Sequence, residues 1–251
     1  MSTWVFLRGL AREARHWGDF PHQFREANPG ATIVTPDLPG NGQLNHQSSP
    51  RNIGDTVESI RTALLRNGTP PPYHLLGLSM GAMVTVEWAT RHPGELRPSV
   101  LLNTSLRPFS PFHDRLSPRN YRRLIELALL KKNAVEIERE ILRMASAHRD
   151  EHAEVVDAWV TYRTENPAAK SNALRQIIAA ARFRAPLKRP EVPLLILAGA
   201  KDRLVNPRCS AQIAAQWQIP LRIHAGAGHD LPLDAGNWVA SQARDWLTSL
   251  H

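Results

Sequence analysis

The segment Gly77-Leu78-Ser79-Met80-Gly81 has the clearest capacity for chemistry in this sequence. A serine hydroxyl is a weak nucleophile unless it is held clear of the backbone beside a base. A sharp strand-to-helix turn does this, and flanking glycines relieve the crowding around a strained serine. The apolar run Tyr73 to Leu76 leads into the turn and the helical pattern Met80 to Arg91 leads out of it, so both halves of that context are present. The helix behind the serine would also aim backbone N–H groups at developing negative charge. For the five residues alone, a capping serine in a glycine-rich turn is the ordinary alternative, and the flanking strand and helix weigh against it.

The base must come from elsewhere in the chain, since nucleophile and histidine need only meet in space. Of the 11 histidines, His229 sits just past the last apolar run, in the glycine-flanked loop Gly226-Ala227-Gly228-His229-Asp230. The acid that orients it should lie at the end of an earlier strand, which points to Asp202 in Ala198-Gly199-Ala200-Lys201-Asp202-Arg203. A carboxylate there would fix the imidazole tautomer and stabilise the imidazolium as the serine proton arrives. Asp37, Asp230 and Asp234 are its competitors, and a turn or capping role is the plainer reading of Asp202 by itself.

These residues need a scaffold, and the chain supplies one. Six short apolar runs read as strands, at 3–8, 31–36, 73–78, 99–103, 192–198 and 221–225. Helical patterns alternate with them, as in βαβ units that build a parallel sheet. Ile53 to Arg66 puts Ile53, Val57, Ile60 and Leu64 on one stripe and ends at Asn67-Gly68. Asn237 to Leu250 is another helix, and Pro207 at a first helical position opens one that runs through Trp217. The alternation breaks over residues 106–188, where strand signals vanish and segments such as Tyr121 to Lys132 and Ala134 to Ala147 are helical by propensity. Pro108, Pro111 and Pro118 mark the entry and Pro186 and Pro190 the exit. The expected organisation is a core in two parts, 1–105 and 189–251, with a helical cap inserted over 106–188.

Composition narrows the function classes. The 251 residues, 42% hydrophobic and 22% charged, match an ordinary globular protein. Cys209 is the single cysteine, which excludes an internal disulfide and a cysteine-based metal site. The longest apolar stretch near the start, Trp4 to Leu7, is too short for a signal-peptide core, and no run approaches the length of a membrane span. The expected location is therefore cytoplasmic. The net charge of +8 invites a nucleic-acid partner, but the basic residues are scattered and no RNA motif or zinc-finger spacing accompanies them, so none is expected.

The order serine, aspartate, histidine, each at a strand end, resembles the α/β-hydrolase superfamily over nearly the whole chain. Phe6-Leu7-Arg8-Gly9-Leu10 followed by Trp17 looks like that family's oxyanion loop, and Asp37-Leu38-Pro39-Gly40-Asn41-Gly42 looks like its glycine-rich turn. The likeness implies a mostly parallel six-stranded sheet in the order 2-1-3-4-5-6, flanked by helices, and an oxyanion hole made by the backbone N–H groups of Leu10 and Met80. The entry of the cap after the strand ending at Asn103 is similar to small capped microbial carboxylesterases of the pimeloyl-carrier-protein methyl esterase type. Two departures stand out. Arg8 occupies the position where the family carries histidine, either near a substrate carboxylate or tied into a structural network, the latter being favoured, and Ala82 replaces a further glycine. Ser79 argues against dehalogenases and epoxide hydrolases, whose nucleophile is aspartate.

The expected activity is hydrolysis of a small carboxylic ester through an acyl-enzyme on Ser79, with no metal or organic cofactor. Leu106, Phe109, Phe112, Leu124 and Leu127 are candidate lining residues of an acyl pocket beneath the cap. The alternatives are a Ser/His-dependent lyase or C–C bond hydrolase, a thioesterase or esterase working on acyl groups borne by an acidic carrier protein, and a non-catalytic ligand-binding member. The carrier-protein reading draws on the arginines gathered in the cap, which neighbouring glutamates can equally neutralise.

Overall fold

In the computed structural model, which describes residues 2–123, 126 and 133–250, strand periodicity sorts the core into two faces. Side chains alternate across a strand. Thus Val5 and Leu7 of β1 (Ser2–Leu7), with Tyr73 and Leu75 of β3 (Tyr73–Leu78), enter one apolar cluster, while Trp4, Phe6, Leu76 and Leu78 enter another. β4 (Ser99–Leu102) and β5 (Leu194–Gly199) divide in the same way. With β2 (Ala31–Val34) and β6 (Leu221–His224) they form one sheet, parallel throughout, in the order β2-β1-β3-β4-β5-β6.

Helices cover both faces. α1 (Phe20–Ala27) and the C-terminal helix bury Phe20, Phe24, Val239, Ala240 and Ala243 on the face that holds Trp4 and Phe6. α2 (Ile53–Arg66) and α3 (Met80–Arg91) lie on the other. The α2 stripe is buried as its spacing requires, and the helix starts where Asn52 Oδ1 accepts the Asp55 N–H at 2.7 Å.

Between β4 and β5 the described residues form α4 (Phe112–Arg115), α5 (Ala134–Ala145), α6 (Val155–Glu165) and α7 (Lys170–Arg182). An isolated parallel bridge joins Arg107 to Arg184, and the Ala185 N–H donates to the Arg107 carbonyl at 2.7 Å, so the inserted segment leaves the core and returns to it at one point. α8 (Arg208–Trp217) follows β5.

Three details differ from expectation. α1 gave no usable signal, because its only two buried residues, Phe20 and Phe24, stand about one turn apart and make no repeating stripe. The last helix, α9 (Leu231–Thr248), starts earlier than Asn237, since a first turn at Leu231–Asp234 is joined to the main helix across the non-helical Ala235. Pro207 has helical backbone angles but caps α8, which begins one residue later. Of the Tyr121 to Lys132 helix, 121–123 and 126 are helical and the remainder lies outside the described residues.

Candidate active site

Ser79 stands in the sharp turn between β3 and α3 with φ of 56° and ψ of −112°, in the left-handed region that a non-glycine residue enters only at a cost. The surroundings hold it there. Its N–H donates to the Leu102 carbonyl at 2.9 Å, and its carbonyl accepts from Ala82 N at 3.1 Å and from Thr104 Oγ1 at 3.0 Å. The flanking glycines are forced by contact: a Cβ at Gly77 would overlap the Gly81 carbonyl, and one at Gly81 would overlap the Leu7 carbonyl. The side chain of Ser79 is thus raised above the sheet, half-buried.

His229 and Asp202 meet. Their Nδ1 and Oδ2 atoms are 2.7 Å apart and both residues are buried. Asp202 Oδ1 accepts the N–H groups of Leu204 at 2.8 Å and Val205 at 2.9 Å, which fixes the carboxylate after β5. With Nδ1 engaged, Nε2 is the ring position left to exchange a proton. Burial opposes a charge on His229, yet the charge and hydrogen bond of Asp202, aided by Asp230, outweigh it, so the pKa lies above the ordinary histidine value.

The histidine loop is tied to the same strand end as the serine. Asn103, the residue after Leu102, donates from Nδ2 to the Gly228 and His229 carbonyls at 2.8 Å each, and its Oδ1 accepts Gly199 N–H at 2.8 Å. Ser79 and His229 therefore hang from Leu102, the last residue of β4, and from Asn103, the residue after it, and Asn103 reaches on to β5. Asn103 is a positioning residue that sequence reading missed, because an asparagine at a strand end looks like any turn former. Its φ of 42° is the local sign of the role.

The competing aspartates have other work. Asp37 accepts from Ala14 N at 2.7 Å and Gln43 N at 2.9 Å, and Asp234 accepts from Ser146 Oγ at 2.6 Å, Ala147 N at 2.9 Å and Gly228 N at 2.6 Å. Asp230 is gripped by Arg8 through Nη1–Oδ1 and Nη2–Oδ2 contacts of 3.2 and 2.6 Å. Arg8 is accordingly the structural residue that its position suggested, with the Trp17 ring 4.7 Å from its Cζ.

Of the two expected oxyanion donors, Met80 opens α3, where first-turn N–H groups have no intrahelical acceptor. Leu10 lies in a turn closed by the Arg12 N–H to the Gly9 carbonyl at 3.4 Å. That loop is anchored on every side: Ala11 N–H to Gln176 Oε1 at 2.8 Å, the Arg12 carbonyl to Asn41 Nδ2 at 3.0 Å, and Arg12 Nη1 to Glu138 Oε2 at 2.8 Å. His16 beside it is held well below its usual pKa by burial and by Arg12, and stays neutral.

The expected pocket residues scatter. Leu106 is fully buried in the core, Phe109 packs edge-on to Trp217 at 5.4 Å, and Phe112 is 63% exposed against Tyr121. Leu124 and Leu127 lie outside the described residues. Among the described residues no group of three His, Cys, Asp or Glu side chains could hold a metal ion, and no helix is long and apolar enough to cross a membrane.

A serine on a strained strand-to-helix turn, a buried histidine–carboxylate pair at the neighbouring strand ends and this sheet order define an α/β-hydrolase scaffold. The sequence matches the alpha/beta hydrolase family over residues 4–242, and the chain belongs to that family. Its fold is similar to a thermophilic esterase from Thermogutta terrifontis, at 21% identity and a TM-score of 0.77, covering 100% of this chain and 91% of the other. It is similar also to a 2-hydroxy-6-oxo-6-phenylhexa-2,4-dienoate hydrolase from Rhodococcus sp. strain RHA1, with 20% identity, a TM-score of 0.78 and coverage of 97% and 89%. The esterase RhEst1 from Rhodococcus sp. ECU1013 gives 16% identity, a TM-score of 0.78 and coverage of 100% and 91%. The uncharacterized protein YbdG of Bacillus subtilis (strain 168) is 27% identical over 107 residues, which are 42% of this chain and 32% of that relative, so the match spans about a third of the relative's length.

Proposed function

We propose that this hydrolase cleaves small carboxylic esters through an acyl-enzyme on Ser79, with His229 as general base and Asp202 orienting it. The observation that carries the reading is the 2.7 Å Asp202–His229 contact, in which the second carboxylate oxygen is saturated by two backbone N–H groups. A carboxylate so fixed has one task left, to hold the imidazole in the tautomer that presents a basic Nε2.

In the proposed sequence, Ser79 Oγ attacks the ester carbonyl carbon as its proton passes to Nε2. The Leu10 and Met80 N–H groups receive the oxyanion. The acyl–oxygen bond then breaks, and the proton goes from Nε2 to the departing alcohol. Water attacks the acyl-enzyme, gives its proton to Nε2, and the acid leaves as that proton returns to Ser79.

The cap arginines favour a neutral substrate over one carried on an acidic protein. Arg122 pairs with Glu126, Arg123 and Arg143 with Glu140, and Arg149 with Asp150, so much of the positive charge is met within the cap. A fluorophosphonate probe tests the nucleophile, and hydrolysis of p-nitrophenyl esters of rising chain length tests the reaction. Labelling that maps to Ser79, with release of p-nitrophenol, is the expected result. Turnover of an ester-free keto acid in place of esters would favour the C–C hydrolase or lyase alternative. A folded protein that never labels would be the binding member.

A further inference from the structure

Arg8 and Asp230 stand 222 positions apart in sequence yet share a bidentate ion pair at the end of the histidine loop. Each is only 3% exposed. Arg8 follows the last residue of β1 and precedes Gly9 and Leu10, whereas Asp230 directly follows His229. The pair therefore joins the oxyanion loop to the residue next to the base. Trp17 covers the guanidinium face, and Asp230 also donates its N–H to the Ala145 carbonyl of α5 at 2.8 Å, so one residue of the histidine loop touches both the loop after β1 and the inserted segment. With both Nη groups taken by Asp230, the fork has none to offer a substrate carboxylate.

We propose that Arg8 and Asp230 are a positioning pair for His229, fixing its ring against the oxyanion loop and keeping the charge beside it balanced. The inference rests on the reading of His229 as the base. Among the described residues, the charged groups that face this ring and its loop are Asp202 from the end of β5, Arg8 and, farther back, Arg12 from the loop after β1, Asp230 from the histidine's own loop and Asp234 from the first turn of α9. Asp234 holds the Gly228 N–H behind it and lies 3.6 Å from His152. Burial would raise the Asp230 carboxyl, but Arg8, first by its charge and then by its hydrogen bonds, holds it below the usual carboxylate range, so Asp230 faces the guanidinium as a carboxylate. Loss of one leaves the other's charge bare next to the imidazole, and the sign of the effect depends on which one remains.

The test is the pH profile of kcat/KM for a small p-nitrophenyl ester, together with the rate of fluorophosphonate labelling. Asp230→Asn leaves Arg8 positive, disfavours the imidazolium, and should move the acid limb to lower pH by up to about one unit. Arg8→Gln leaves Asp230 negative and should move it to higher pH. In Arg8→Gln/Asp230→Asn the charges cancel again, so the limb should return near that of the wild type, while kcat and labelling fall about tenfold or more with KM little changed, because the ring is no longer held. Arg8→Lys keeps the charge but not the fork and should lower kcat without moving the limb. Half of a buried pair can prevent folding, in which case the neutral double variant and Arg8→Lys decide the matter. Limbs that move the same way or not at all in folded single variants overturn the proposal. So do wild-type kcat and labelling in the double variant. If His229→Gln retains hydrolysis, the base assignment itself fails and the positioning role falls with it, whereas an inactive His229→Gln beside indifferent Arg8 and Asp230 variants sinks the pair alone.

Discussion

Beneath the candidate site the molecule is held by apolar packing, and above it by charge. The sheet carries an uninterrupted hydrophobic cluster on each face, built from Leu, Ile, Val, Phe and Trp side chains that exclude solvent almost completely. Where the insertion meets the core the contacts change kind. Glu138 of α5 is 1% exposed and lies between Arg12 of the loop after β1 and Arg163 of α6, and Arg15 joins Glu13 to Glu165. Gln176 and Asn172 of α7 bind Asn41 and Ser49, and the cap's own buried core is the small cluster around Leu142, Val156 and Trp159. Apolar contact is non-directional and scales with area, so the sheet tolerates small shifts. A buried ionic seam is favourable only when every partner is present. The sheet is thus held by buried area, and the segment between β4 and β5 is registered on it by a few directional contacts.

Breaking the comparison begins at the strand ends. Ser79→Ala should leave thermal unfolding close to wild type and reduce ester turnover by roughly a million-fold, measured by steady-state kinetics on a preparation shown to be folded. Asp202→Asn should cost about ten-thousand-fold at neutral pH through the wrong histidine tautomer. If Asp37→Asn or Asp234→Asn does that damage and Asp202→Asn is mild, the acid is misassigned.

The seam should fail in the opposite sense. Glu138→Ala strands Arg12 and Arg163 without their carboxylate, and breaking a buried pair in this way costs about 3–5 kcal/mol. Chemical denaturation should report that loss, with faster proteolysis within α5 and α6, while kcat falls far less than in Ser79→Ala. A Glu138→Ala protein as stable as wild type would mean that the cap is held by its apolar cluster after all.

Smaller effects sharpen the contrast. Because the His229 pKa is raised, its protonated, non-basic form persists above the ordinary value of about 6.5. Activity should therefore be lost as pH falls through a limb lying above that value, and a limb well below it would contradict the part given to Asp202. At the far end of the scale, Arg122→Ala removes an exposed pair with Glu126 and should change stability by less than about 1 kcal/mol.

How much of this could be read in the sequence follows the same division. Strands buried on both faces must be continuous apolar runs, so β1, β3, β4 and β5 were legible to within two residues, and the turns after β3 and β5 that hold Ser79 and Asp202 could be located from the same runs. Contacts made between side chains distant in sequence leave no periodic trace. Arg12 with Glu138 and Asn103 with the histidine loop look in the sequence like ordinary surface or turn residues, and Arg8 stands out by its position while nothing in the sequence names Asp230 as its partner. The pocket residues show the limit from the other side: aromatic residues at the start of the cap suggested a lining, yet Phe109 turns to Trp217.

The backbone of Ser79 has a consequence for how such a protein can evolve. At φ of 56° glycine would be relaxed where serine is strained, a difference of about 1 kcal/mol or more. Ser79→Gly should therefore melt higher than wild type while hydrolysing nothing. A population selected for heat resistance alone would drift toward that dead variant, and retention of serine in it would require continuing demand for turnover.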